Sequence, residues 1–70
     1  MRKVHRVAKV GEKVTLCECM RAILNPRAAE ILEGKVATVI GFRDSTVAIT
    51  DLGDVYHAWY EVIEEQTLLN

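Results

Sequence analysis

The sequence predicts a mainly β fold, a small barrel of five short antiparallel strands with one short inserted helix at about residues 26–33. The residues from Val36 to Phe42, from Thr46 to Thr50 and from Val55 to Tyr60 are consecutive segments rich in β-branched and aromatic side chains. Only short turns separate them, which is typical of an antiparallel meander. A chain this short buries a meander most readily by curling it into a barrel. A helix packed on an open sheet is the alternative architecture.

Further strands flank the meander. Alternating apolar residues from Val4 to Val10 indicate an exposed or partly paired first strand, and Gly11 then allows a bend. Residues 13 to 18 alternate again and include β-branched side chains, so they indicate a second strand. A last short strand is expected at Val62 and Ile63.

The helix is predicted from a change of period. Apolar residues from Met20 to Leu32 recur at three- and four-residue spacing, which indicates a helical face. Pro26 would interrupt one continuous helix, but it suits a first helical turn directly after Asn25, a good N-terminal cap. We therefore predict a helix from Pro26 to Glu33 that ends at Gly34.

Two segments resemble small SH3-like barrels. Residues 10 to 14, VGEKV, look like the turn that leads into the first core strand of many such barrels. Residues 34 to 40, GKVATVI, are similar to the KOW-type pattern, although Ala37 stands where that pattern commonly has a second glycine. The resemblance covers about residues 10 to 64, with the helix in the long first loop. It implies a scaffold used for RNA contacts, for peptide contacts or as accessory subunits of larger enzymes, and such a fold does not choose among these roles.

Length and composition predict one globular domain, residues 1–70. Half of the residues are hydrophobic and 27% are charged. No segment near the N-terminus has the apolar length of a signal peptide or a membrane span, so we expect a cytoplasmic protein without membrane contact. Because so small a domain buries only a modest core, we expect a protein partner or self-association to add stability.

Charge is unevenly distributed along the chain. Residues 1 to 35 hold eight Lys or Arg against four Glu, whereas residues 36 to 70 hold one Arg against six acids. The N-terminal cations could bind nucleic-acid phosphates or an acidic protein surface, or they could pair within the fold with Glu61, Glu64 and Glu65. The acidic second half counts against a nucleic-acid partner. The cations are Arg2, Lys3, Arg6, Lys9 and Lys13, with His5 among them.

The densest chemical cluster consists of Tyr56, His57, Trp59 and Tyr60. An aromatic surface of this kind could grip a peptide or stack bases. Strand alternation places His57 and Trp59 on one face and Tyr56 and Tyr60 on the other, and only one face can be core. We expect Trp59 to be partly exposed at the barrel edge. The alternative is that all of these side chains fill the core and seal its rim.

Cys17 and Cys19 form a C-x-C pair that, with His5 or His57, could bind zinc or a softer metal. Strong zinc signatures have four ligands at recognisable spacing, and a cysteine also serves as a small buried hydrophobe. A disulfide between residues two apart in a strand would be strained, so we expect free thiols and no cofactor.

No segment has a spacing that dictates catalysis. Asp44, Asp51 and Asp54 fall in turns, where aspartate is common for backbone reasons, and no glycine-rich phosphate loop is present. We expect no catalytic residues. The favoured function is a non-enzymatic binding module or small accessory subunit that docks on a larger protein. An RNA-binding module and a metal-binding protein are the alternatives.

Overall fold

The computed structural model of the protein describes residues 2–64. It is mainly β, as predicted, and contains two short helices. The strands are β1 (Arg2–Val4), β2 (Lys13–Leu16), β3 (Ala37–Phe42), β4 (Val47–Thr50), β5 (Gly53–Tyr56) and β6 (Tyr60–Glu64); the helices are α1 (Met20–Ile23) and α2 (Pro26–Leu32). The described strands form one antiparallel sheet in the order β1-β6-β2-β3-β4-β5, so β1 and β5 are its outer edges.

The sheet differs from the predicted barrel in two respects. The described residues form six strands instead of five, and the sheet is open. The strand predicted from Val55 to Tyr60 is interrupted, because β5 ends at Tyr56 and a 3-10 turn spans His57–Trp59 before β6 begins. The interruption has a topological cause: β5 pairs with β4 and β6 pairs with β2, and these partners lie on opposite sides of β3.

The first strand is shorter than predicted and ends at Val4. The residues after it bond to other parts of the chain instead of continuing the ladder. The Ala8 N–H donates to the Tyr60 hydroxyl at 3.1 Å. The Glu12 N–H donates to the Lys9 carbonyl at 3.0 Å. The predicted strand over residues 4 to 10 is therefore wrong beyond its start.

Helix α2 confirms the predicted caps. The Asn25 side chain accepts hydrogen bonds from the N–H groups of Arg27 at 2.9 Å and Ala28 at 3.1 Å. Pro26 is the first helical residue, and Gly34 has a φ of 70°, as a left-handed cap requires. Neither α1 nor α2 has the length and apolar character needed to cross a membrane.

The core lies between α2 and the inner face of the sheet. Leu32 of α2 is fully buried among strand residues. β3 pairs with β2 through Ala37 and Thr38 and with β4 through Val39, Gly41 and Phe42; the pairing with β4 shifts register between Val39 and Gly41. In α1 the buried residue is Ala22, whereas Met20 is exposed. The apolar residue that the helical spacing places on the buried face of α1 is therefore not part of the core. The core residues are Ala8, Val14, Leu32, Ala37, Val39, Ala48, Val55, Tyr60 and Val62.

Candidate protein-binding site

The candidate site lies where β5 meets the 3-10 turn. Tyr56, the last residue of β5, is 49% exposed. Trp59, at the end of the turn, is half-buried and packs against the core. Their rings meet edge to face, with centroids 4.8 Å apart and planes at 78°. The two side chains form one partly exposed aromatic surface.

The other members of the predicted aromatic cluster lie deeper. Tyr60 is fully buried, so the prediction that it shares one face with Tyr56 is wrong. The 3-10 turn between them breaks the alternation of side chains that one continuous strand would have. The Tyr60 hydroxyl accepts from Ala8 N–H and lies 2.6 Å from Nδ1 of His57. Burial raises the pKa of Tyr60, so the hydroxyl stays protonated at neutral pH, and the tautomer of His57 sets which of the two groups donates. His57 is half-buried and also faces Phe42, with ring centroids 6.0 Å apart.

A groove of about 340 Å³ runs beside the aromatic pair. Val47 and Tyr56 are cross-strand partners and lie on one face of the sheet. Arg27 comes from α2, which covers the opposite face of the sheet. On that face, the Ile31 side chain of α2 lies 3.7 Å from the position that a Cβ on Gly53 would occupy. A groove lined from both faces of β5 runs along the edge of that strand. Its lining residues are Arg27, Arg43, Val47, Asp54, Val55, Tyr56 and Trp59.

The backbone of β5 leaves hydrogen-bonding groups open at this edge. The His57 N–H donates to the Thr46 carbonyl at 3.0 Å, and residues of an antiparallel pair alternate between bonded and non-bonded positions. By this alternation, Asp54 and Tyr56 occupy non-bonded positions opposite β4. The N–H and C=O of Asp54 and the N–H of Tyr56 point away from β4 and meet no other strand in residues 2–64, whereas the Tyr56 C=O accepts the first hydrogen bond of the 3-10 turn.

The groove carries an excess of positive charge. Arg43 Nε donates to Asp54 Oδ2 at 2.8 Å, so these two charges compensate each other. Arg27 is exposed and makes no ion pair with any residue in the part of the chain that the structure describes. One guanidinium therefore remains available beside the aromatic pair.

The N-terminal basic residues are largely paired within the fold. The Arg6 guanidinium lies 2.7 Å from a carboxylate oxygen of Glu12 and 2.9 Å from one of Glu64. Arg2 also contacts Glu64, at 3.2 Å. The expectation that these cations meet the acidic C-terminal residues is confirmed for Glu64. Glu61 makes no ion pair within residues 2–64, and Glu65 lies outside the described residues.

The lysines of this cluster are less constrained. Lys3 Nζ lies 3.4 Å from a carboxylate oxygen of Glu18 at an exposed position. The Lys9 backbone N–H, and not its ammonium, donates to Glu12 at 2.7 Å. Lys13 pairs through its backbone with β3 and β6. These side chains do not approach the aromatic groove.

Replacing Glu12 with glutamine is expected to lower the melting temperature by a few degrees at neutral pH and to have no effect near pH 2. Hydrogen bonds from Arg6, and then from the Lys9 N–H, lower the pKa of Glu12 from 4.5 to about 2. A carboxylate whose pKa falls on folding stabilises the fold above its unfolded pKa, and this contribution is lost as the pH falls through the folded value. Circular dichroism melts between pH 7 and 2 test this. The exposed Glu18→Gln variant is the control, and a Glu12→Gln deficit that persists at pH 2 would contradict the prediction.

Cys17 and Cys19 are free thiols, as expected. Within residues 2–64, no group of three or more His, Cys, Asp or Glu side chains is arranged to hold a metal ion. His5 lines a cavity with Cys19, whereas His57 faces Phe42 and the core. The ligand set considered from the sequence is therefore not assembled in the described part of the chain.

Sequence reasoning missed Arg27, Arg43 and Asp54 as members of the site. Asp54 has the appearance of a turn residue, and Arg27 that of an ordinary helix residue. They reach one groove because α2 packs beside β5, and no local spacing carries that information.

No protein family, curated protein or solved structure matches this chain.

Proposed function

We propose that this protein is a non-enzymatic binding module, or a small accessory subunit, that docks an extended segment of a larger protein along the open edge of β5. The observation that carries the proposal is the convergence of three features on one groove. These are the open backbone groups of Asp54 and Tyr56, the Tyr56–Trp59 ring pair, and the exposed guanidinium of Arg27, which makes no ion pair within residues 2–64.

An extended segment is the occupant that uses all three features. Its backbone can pair with the N–H and C=O groups of β5, which is how many domains bind peptides. Its side chains then alternate, so an apolar residue can contact Tyr56 and Trp59 while an acidic residue reaches Arg27. Since Arg43 and Asp54 compensate each other, the favoured segment combines apolar residues with at least one carboxylate.

We infer that the scaffold belongs to the SH3-like barrels. In support, β6 returns beside β2, so the last described strand meets the first core strand. The pairing of β3 with β4 carries a register shift between Val39 and Gly41, and such an irregularity allows a strand to bend. The helices fall in the loop after β2, where the resemblance places the long variable loop.

An RNA partner has weaker support from the same residues. Arg6 is held by two carboxylates, and phosphate binding would have to displace them. Tyr60 is buried and so offers no stacking face. Binding to the β5 groove should change little with salt, whereas binding to RNA phosphates should weaken steeply.

The experiment is a selection of random phage-displayed peptides on the wild-type protein. We expect enriched peptides with alternating apolar residues and an acid, which bind Tyr56→Ala about tenfold or more weakly than wild type. Val10→Ala is the matched control, because Val10 is 61% exposed and lies outside the groove. Urea titrations establish that both variants remain folded.

Backbone methylation distinguishes strand pairing from docking by side chains alone. In an extended peptide, the N–H groups of alternate residues face β5. N-methylation of those residues should abolish binding, whereas N-methylation of the residues between them should be tolerated. Failure to enrich any peptide, or equal affinity for wild type and Tyr56→Ala, would contradict the proposed site. Peptides that tolerate methylation of both sets of residues would contradict strand pairing.

A further inference from the structure

The cysteines form a second chemical cluster, which the proposed peptide site does not use. Cys17 is 3% exposed, and its N–H donates to the Trp59 carbonyl at 2.8 Å. Cys19 is half-buried, and its carbonyl accepts hydrogen bonds from Ala22 at 3.1 Å and Ile23 at 2.9 Å. Backbone hydrogen bonds therefore fix both cysteines in the segment between β2 and α1.

Cys19 lines a cavity, whereas Cys17 is buried. This cavity has a volume of about 370 Å³, and its described lining residues are His5, Cys19, Arg21 and Ala58. The lining contains a guanidinium and no carboxylate among those residues. It therefore favours a small ligand that carries a carboxylate over one that carries an ammonium group.

The two thiols differ in chemical character. Burial raises the pKa of Cys17 to about 11, and the nearby charge of Glu61 acts in the same direction. The neighbouring Cys17 thiol is the main influence on Cys19 and lowers its pKa. Because the thiolate is the nucleophile, the sulfur that faces the cavity is the reactive one.

We propose that Cys19 undergoes thiol–disulfide exchange with small disulfides that carry carboxylates, of which oxidised glutathione is the probe. The Cys19 thiolate attacks one sulfur of the disulfide and forms a new S–S bond. The original S–S bond breaks, and the departing thiolate takes a proton from water. Arg21 binds the ligand's carboxylate, and Cys17 is a positioning residue that holds the Cys19 thiolate.

The test treats the reduced protein with oxidised glutathione at pH 7 and locates the adduct in the tryptic peptide 14–21, which contains both cysteines. We expect the adduct on Cys19 and not on Cys17, formed several-fold faster in the folded protein than in urea. The midpoint of the pH–rate profile for Cys19 should lie below that of the unfolded chain, and Cys17→Ala should raise it. Modification of both cysteines, or equal rates in folded and unfolded protein, would overturn the proposal.

A second variant tests the ligand class. Arg21→Gln should slow exchange with oxidised glutathione several-fold and leave exchange with the neutral bis(2-hydroxyethyl) disulfide unchanged. Equal slowing of both reagents, or of neither, would refute recognition of the carboxylate. These measurements require no peptide ligand, so their outcome is independent of the proposed function.

Discussion

Replacement of Leu32 with alanine is expected to lower the free energy of unfolding by about 2–5 kcal/mol. Leu32 ends α2, is fully buried and belongs to the same core cluster as Val14 and Tyr60. A chain of this length has a total stability of about 4–10 kcal/mol, so the substitution removes a large share of it. Urea unfolding with an unchanged m-value measures the loss.

Leu24→Ala is the matched control for this prediction. It removes the same atoms from the segment between α1 and α2, but Leu24 is 69% exposed. Its effect should lie within about 0.5 kcal/mol of zero. If Leu32→Ala had an equally small effect, α2 would not pack as part of the core. Arg27 would then have no fixed position beside the β5 groove.

Tyr60→Phe is expected to cost about 1–3 kcal/mol, although it removes a single oxygen atom. That oxygen accepts a hydrogen bond from the Ala8 N–H and shares a second hydrogen bond with His57 Nδ1. Without it, a buried N–H and a half-buried ring nitrogen lose their partners, and the irregular segment after β1 loses a contact with β6. Urea unfolding of the variant measures the loss.

Tyr56→Phe provides the comparison, because it makes the same chemical change at a side chain that is about half exposed. We expect no change beyond about 0.5 kcal/mol in this variant. Equal effects at positions 56 and 60 would show that the buried hydrogen bonds contribute nothing measurable, contrary to their role here.

Features that depend on a few neighbouring residues could be predicted from the sequence. Asn25, Pro26 and Gly34 act through backbone groups within one helical turn, and α2 begins at Pro26 as predicted and ends at Leu32, one residue before the predicted end at Glu33. Gly53, the first residue of β5, has a φ of 140°, a positive value that glycine adopts at little cost. Local chemistry fixes such elements whatever the rest of the chain does.

Features that depend on which strand lies beside which could not be predicted. Alternation through Val55 to Tyr60 assumes one continuous strand, whereas the change of partner from β4 to β2 forces a turn at His57. The burial of Tyr60 follows from that turn, and so does the exposure of Tyr56 at a strand end. The groove needs one further fact, the packing of α2 beside β5, which no spacing in the sequence encodes.

The edge strand that we propose as a docking surface is also a hazard, because an unpaired edge can nucleate aggregation with any extended chain. β5 is only four residues long, and its outward face carries the Arg43–Asp54 ion pair. Short length and charged side chains both discourage indiscriminate pairing between copies. The same edge thus combines protection against amyloid-like growth with selectivity, since a chain that lacks a carboxylate for Arg27 gains little by joining it.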